Sequence, residues 1–331
     1  MVIWLSCNRK VKQLNRRDRI FDLLDRSKVV QEYTPAAFFL HFGADAGLGS
    51  AAIERHTEYF HATGMDFVKI QYERNFAPRP IEKVSDWNRV DPPGLEFYEP
   101  QLAVVKGLVE RLKSEAPVIV TLYSPFMCLG DVGTKATLGR HLLENPDALT
   151  DAFQGATESL LTFVLACIKI GVDGFYHSTQ GGESRRFPNS DIFDRYIKPW
   201  DLALMREIDR RCSFNILHIC DYHKEDCGGY DDLTPFLEYP GSVVNCSLDI
   251  GGRTATPQQI SSQFGRPFMG GLDRKGPLSK GSAEDASNEA ERVLASASER
   301  FILGADCTVP SDTPWANLKA AIDATHARVS T

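Results

Sequence analysis

The 331-residue chain has no run of 18 consecutive apolar residues, which argues against a transmembrane helix. It also lacks a basic surplus: 37 Lys and Arg stand against 44 Asp and Glu, a net charge of −7. That balance, with a pI near 5.7, argues against a dedicated nucleic-acid binder, which carries a basic face. The basic stretch NRKVKQLNRRDR at the N-terminus is followed quickly by acids and reads as a solvated first helix. The opening MVIWLSCNRK places apolar residues before basic ones, the reverse of a secretory signal. No internal repeat, low-complexity tract or interdomain linker stands out. The eight cysteines (7, 128, 167, 212, 220, 227, 246 and 307) are scattered among apolar segments, unlike a disulfide framework. The expectation is a cytoplasmic protein whose thiols are core filler or ligands.

What the chain does have is a series of short apolar, β-rich runs. They are AAFFLHFG (36–43), MDFVKIQY (65–72), APVIVTLYS (116–124), GVDGFYHS (171–178), FNILHIC (214–220), SVVNCSLD (242–249), RPFMGGLD (266–273) and RFILGADC (300–307). Near-continuous apolar runs suggest strands covered on both faces, as in a parallel sheet. Helix-patterned segments separate them, among them SAAIERHTEYFHATG, EPQLAVVKGLVERLKSE and ALTDAFQGATESLLTFVLACIKIG. Eight strand–helix repeats predict an α/β fold, a (β/α)₈ TIM barrel of one domain with inserted loops. Residues 1–35 form an N-terminal helical extension and 36–331 the barrel. An open doubly wound sheet is the rival topology.

Barrel chemistry gathers at the C-terminal strand ends. His218 and Cys220 end the fifth run two positions apart, so they share a face. Cys307 ends the eighth run. Imidazole and thiolates suit a borderline-soft metal, with Zn²⁺ the expected ion. Cys246, late in the sixth run, stands open between fourth ligand and core filler; His223 and Cys227 are weaker candidates. Other strand-end residues give the supporting cast. His177, Glu183, Tyr72, Glu73 and Asp273 are candidates for catalysis. His41, Gln71, Tyr123, Ser124, Gln180 and Arg274 are candidates for substrate binding. Each of these has the alternative of an ordinary polar residue satisfying backbone groups at a loop start.

The segments ILHIC, MGGLDRKGPL and RFILGADCTVPSDTPWANLKAAIDATH resemble the uroporphyrinogen decarboxylase superfamily. That superfamily includes cobalamin-type methyltransferases and is similar to the catalytic half of cobalamin-independent methionine synthase. The resemblance implies a (β/α)₈ barrel. Decarboxylases carry an arginine-rich element near the N-terminus, where this chain has LHFGADAG (40–47), and a second-strand Asp, where it has IQYERNF. They also have a His where Cys307 stands. The zinc methyltransferases show His-x-Cys and a distant Cys, as His218, Cys220 and Cys307 do. In the methionine synthase relatives a Glu ligand falls near Cys246. The resemblance therefore implies zinc-dependent methyl transfer to a thiol from a methyl-corrinoid, a folate or a methylated small molecule. Any corrinoid arrives on a separate protein, and a homodimer is implied only by the family. Two alternatives stand beside it: a lyase decarboxylating a porphyrin-type or smaller aromatic acid, and a non-catalytic metal-binding barrel.

Overall fold

Apolar runs this continuous need cover on both faces, and the chain supplies it with helices. The computed structural model describes residues 15–29 and 33–327. Seven strands form one parallel sheet in chain order. They are β1 (Val68–Ile70), β2 (Val118–Tyr123), β3 (Gly174–Thr179), β4 (Ile216–Ile219), β5 (Val243–Asn245), β6 (Phe268–Leu272) and β7 (Phe301–Ala305). Nearly every strand residue is buried, as expected of a sheet walled on both sides. Helices Gly49–Thr63, Leu95–Leu112, Thr150–Ile170, Lys198–Asp209, Pro257–Phe264, Ala283–Ala295 and Trp315–Ala327 alternate with the strands. An antiparallel pair, Asp249–Ile250 with Arg253–Thr254, is the other sheet among the described residues.

The first expected strand, 36–43, differs from the expectation. It makes isolated parallel bridges, Ala36 to Leu303 and Leu40 to Val309, rather than a ladder. Its backbone nevertheless reaches both edges of the sheet. Ala36 O accepts from Asp66 N at 3.0 Å, and Ala37 N donates to Leu303 O at 3.0 Å. Local chemistry explains the missing ladder. Pro35 has no N–H to give, and the Ala36 N–H donates to the Asp66 carboxylate (2.7 Å) instead of to a strand.

The N-terminal ends of the strands are sealed by ion pairs. Arg17, on the helix Arg16–Leu24, donates through both terminal nitrogens to Asp173, just before β3. Asp66 accepts from Tyr33 Oη at 2.5 Å and faces His326 Nε2 at 2.9 Å. One helix, counted with its preceding turn as Pro146–Ile170, is long and apolar enough by length and composition to cross a membrane. It reaches that mark without an unbroken apolar run, and its buried face includes Phe163, stacked on Tyr98 and edge-on to Tyr72.

The Asp66 carboxylate joins Tyr33 Oη and the Ala36 N–H to His326 Nε2 near the far end of the chain, and removing it strands the Ala36 N–H and leaves Tyr33 and His326 only each other. Asp66→Ala should lower the unfolding free energy by about 2–4 kcal/mol in urea titration. A loss below about 1 kcal/mol would show that this junction does not hold the sheet edges.

Candidate metal centre

Strand alternation decides what faces the cavity at the C-terminal ends of the sheet. Tyr176 and Ser178 of β3, and His218 of β4, line it, with Cys220 and Cys307 just past the ends of β4 and β7. One ligand atom from each of His218, Cys220 and Cys307 lies within 4.8 Å of the other two, and all three residues are buried. The two sulfurs are 3.9 Å apart. His218 Nδ1, buried, has no hydrogen-bond partner. Two thiols and an imidazole that keeps one ring nitrogen unpartnered make a donor set that fits a soft metal ion. Hydrogen bonding from Cys307 and the neighbouring His218 hold the Cys220 thiol well below its ordinary range. The same thiol–thiol hydrogen bond, with burial, pushes Cys307 up.

Three buried groups set this geometry. Arg274 Nη1 reaches Asp221 Oδ1 at 2.9 Å and Asp306 Oδ2 at 3.4 Å, and its backbone N donates to Asp306 Oδ1 at 2.9 Å. Asp221 follows Cys220 and Asp306 precedes Cys307, so one guanidinium ties the two sulfur-bearing ends together. Asn245 donates to Met269 O (2.9 Å) and Ala305 O (3.0 Å) and accepts from Tyr176 Oη (2.6 Å), stitching β5, β6 and β7 below the site. Gln180 Nε2 donates to the Cys220 sulfur at 3.3 Å.

The cavity holds about 380 Å³. Of the residues expected at the site, His41, Tyr72, Glu73, Tyr123 and Gln180 line it. His41 Nδ1 meets Glu73 Oε1 at 2.9 Å. Several others are placed elsewhere. Cys246 is not in the ligand cluster: its neighbour Asn245 points inward, so alternation turns Cys246 to the other face, where burial pushes its thiol above the ordinary range. His177 likewise lies on the outer face of β3, fully buried, with both ring nitrogens unpartnered. Burial brings it down to about 3, so the ring is neutral. Glu183 is spent on Arg186, at 2.5 and 2.7 Å, and on the Gly181 N–H. Asp273 is exposed and closes a turn by accepting from Lys275 N at 2.8 Å. Ser124 caps the helix Pro125–Val132, and Arg274 is the clamp described above rather than a cavity residue. Gln71 lies just beneath the cavity, donating to Leu40 O. Cys7 lies outside the described residues.

Other cavity residues carry no strand-end signal in the sequence. Lys69 on β1 is buried, donating to Gln71 Oε1 at 2.8 Å and Thr121 Oγ1 at 3.0 Å. Burial pulls its ammonium down to about 7, against the pull of Cys307, Glu73 and Cys220. Lys135 comes from the helix Lys135–Glu144, remote in sequence, and its Nζ lies 2.6 Å from His223 Nε2. His223 is thus committed to a lysine rather than to the ligand cluster.

A parallel α/β sheet closed over by helices, with a buried His-Cys-Cys cluster at its C-terminal strand ends, defines the class of protein. The chain belongs to the uroporphyrinogen decarboxylase (URO-D) family, which it matches over residues 45–328. No curated protein sequence matches it significantly. Among solved structures it resembles a methyltransferase from Methanosarcina mazei, at 14% identity and a TM-score of 0.74, covering 95% of this chain and 98% of that one. It also resembles a B12-independent methionine synthase from Shewanella sp. W3-18-1 solved with selenomethionine. There the identity is 14%, the TM-score 0.52 and the coverage 83% and 85%. At such identities the likeness is one of fold.

Two outcomes follow from this arrangement. Arg274→Leu leaves Asp221 and Asp306 buried without their cation and should cost about 3–5 kcal/mol of stability by urea unfolding; an unchanged midpoint would remove the clamp. His56, beneath Gln71, is the second. Its Nε2 accepts from Gln71 N and its Nδ1 bonds Ala52 O, and burial lowers its pKa from 6.5 to about 4. Between those values the unfolded chain binds the extra proton, so stability falls as pH drops from 6.5 towards 4. His56→Gln should flatten that part of the stability–pH curve; an unaltered slope would contradict it.

Proposed function

We propose that this protein is a zinc-dependent methyltransferase that activates a thiol acceptor at His218, Cys220 and Cys307. The observation that carries this reading is the convergence of an imidazole and two sulfurs, all buried, at the base of one cavity. Three such donors suit Zn²⁺ and leave one tetrahedral position for a substrate. When bound there, zinc supplies a Lewis acid that favours thiolate over thiol in an incoming ligand.

The chain's own residues do the rest. Cys220 and Cys307 lend negative charge that keeps the acceptor sulfur nucleophilic, and Gln180 fixes the Cys220 sulfur through its amide. Tyr72, Tyr123 and Tyr176 wall the cavity and exclude water from the reacting sulfur. His41, held by Glu73 through Nδ1, presents Nε2 to take the proton the thiol loses. The sulfur then forms its bond to the methyl carbon while the bond from methyl to the donor breaks and its electron pair leaves with the donor. A cavity of about 380 Å³ suits a small acceptor, so a methyl-corrinoid would be presented at the mouth by a separate protein. A methylated small molecule would enter the cavity itself.

Membership of the URO-D family favours a second reading, decarboxylation of a carboxylated aromatic, with Lys69 and Lys135 as the cavity's carboxylate-binding cations. Metal analysis with an activity screen separates the two. The purified protein should carry about one zinc per chain and methylate members of a thiol panel with methylcobalamin as donor. Cys220→Ser and Cys307→Ser should each retain less than about a tenth of the zinc and lose thiol methylation. A metal-free protein with full activity would end the zinc reading.

A further inference from the structure

Lys69 is a buried ammonium that the reaction outlined above leaves without a task. The residue is 4% exposed, and its Nζ donates only to neutral groups, Gln71 Oε1 and Thr121 Oγ1. The ring faces of Phe39 and Tyr176 each lie 4.8 Å from that nitrogen. Among the described residues no carboxylate forms an ion pair with it. Burial without a counter-charge disfavours the ammonium form of Lys69, and an anion brought beside it would restore that form. The groups whose negative charge would attract the Lys69 ammonium are Cys307, Glu73 and Cys220, and Glu73 already faces His41. Lys69 lines the same cavity as both cysteines, and the Tyr176 ring it rests on lies 4.9 Å from the His218 ring.

We infer that Lys69 is a positioning residue, the fixed counter-charge of the metal centre, which stabilises the anionic sulfur of an acceptor entering the site. The inference rests on the zinc reading. A divalent ion with two thiolates and a neutral imidazole has no net charge; a third anionic sulfur brings the centre to −1, and Lys69 returns it to zero. The same ammonium repels the divalent ion before that sulfur arrives. Removing it should therefore act in opposite directions on the two binding events, whereas a merely structural lysine would weaken both.

The test uses the full chain loaded with Co²⁺, whose sulfur-to-cobalt absorption band reports thiol binding, and 2-mercaptoethanol as an uncharged probe at one fixed neutral pH. Cobalt affinity comes from competition with a chelator. In Lys69→Met, cobalt should bind as tightly as in wild type or more so. The Kd for the thiol should rise about tenfold or more, the scale of one unit charge across several ångströms at an effective dielectric of ~20. Lys69→Arg, which keeps the charge, should recover most of that affinity. If Lys69→Met does not fold, Lys69→Gln carries the same two readouts, since its amide can still bond Gln71 and Thr121. Equal thiol affinity in wild type and the neutral variants overturns the inference, as does a parallel loss of cobalt and thiol binding. A wild-type protein that takes up neither zinc nor cobalt refutes the metal reading itself, and this inference with it, before any Lys69 variant is made.

Discussion

The site depends on one guanidinium. Arg274 lies between two carboxylates, Asp221 and Asp306, each adjacent in sequence to a sulfur of the cluster. Without that cation two buried negative charges would push the ends of β4 and β7 apart. With it, segments more than 80 residues apart meet with their sulfurs 3.9 Å from each other. Burial pushes Asp306 up to about 6 against the attraction of Arg274. Desolvation makes such an arrangement costly to break, and that cost gives the sulfurs their fixed separation.

A second, uncharged relay approaches the cavity from the opposite wall. His56 on the helix Gly49–Thr63 accepts from the backbone of Gln71, the Gln71 amide holds Leu40 O, and its carbonyl oxygen holds Lys69. Every partner in that chain is neutral except the ammonium at its end. A neutral scaffold leaves the charge of Lys69 unspent and available to the cavity, whereas a carboxylate partner would have cancelled it. The two walls therefore differ in kind. One is an ion network that fixes positions, and the other is a polar bracket around a lysine whose hydrogen-bond partners are neutral.

Seven of the eight apolar runs become strands of one parallel sheet, so most of the fold is legible from period and length alone. The run 36–43 falls short because its pairing groups are diverted by Pro35 and by the Asp66 side chain, a tertiary contact that no local pattern reports. For the site, residues two apart at a strand end are the readable signal, and His218 and Cys220 carry it. The misplacements of Cys246 and His177 share one cause. Each sits one position from an inward-facing residue, Asn245 and Tyr176, and a shift of one residue on a strand reverses its face. A buried strand with no alternation offers nothing in its sequence to choose between the faces. Lys69 is hidden for a related reason: a lysine within an apolar run reads as a solvent-facing position unless its buried partners are known. Lys135 reaches the cavity from a helix after β2, outside any strand-end rule.

The two ends of the sheet divide the work. At the N-terminal strand ends, Arg17 with Asp173 and Asp66 with Tyr33 and His326 are ion pairs and hydrogen bonds internal to the structure. At the C-terminal ends the chain leaves polarity unsatisfied: His218 Nδ1, the Gln180 Oε1 atom and the Tyr72 hydroxyl are all buried without partners. Orphaned polar atoms are rare in folded interiors because each costs about 1–3 kcal/mol. Three of them line one cavity, where the folded chain alone does not complete the polar chemistry. A fold shared across this family is compatible with several reactions, so the chemistry is decided by what those vacant atoms accept. Sulfur and imidazole at the base form a donor set that fits a soft cation, and Lys69 lines the same cavity.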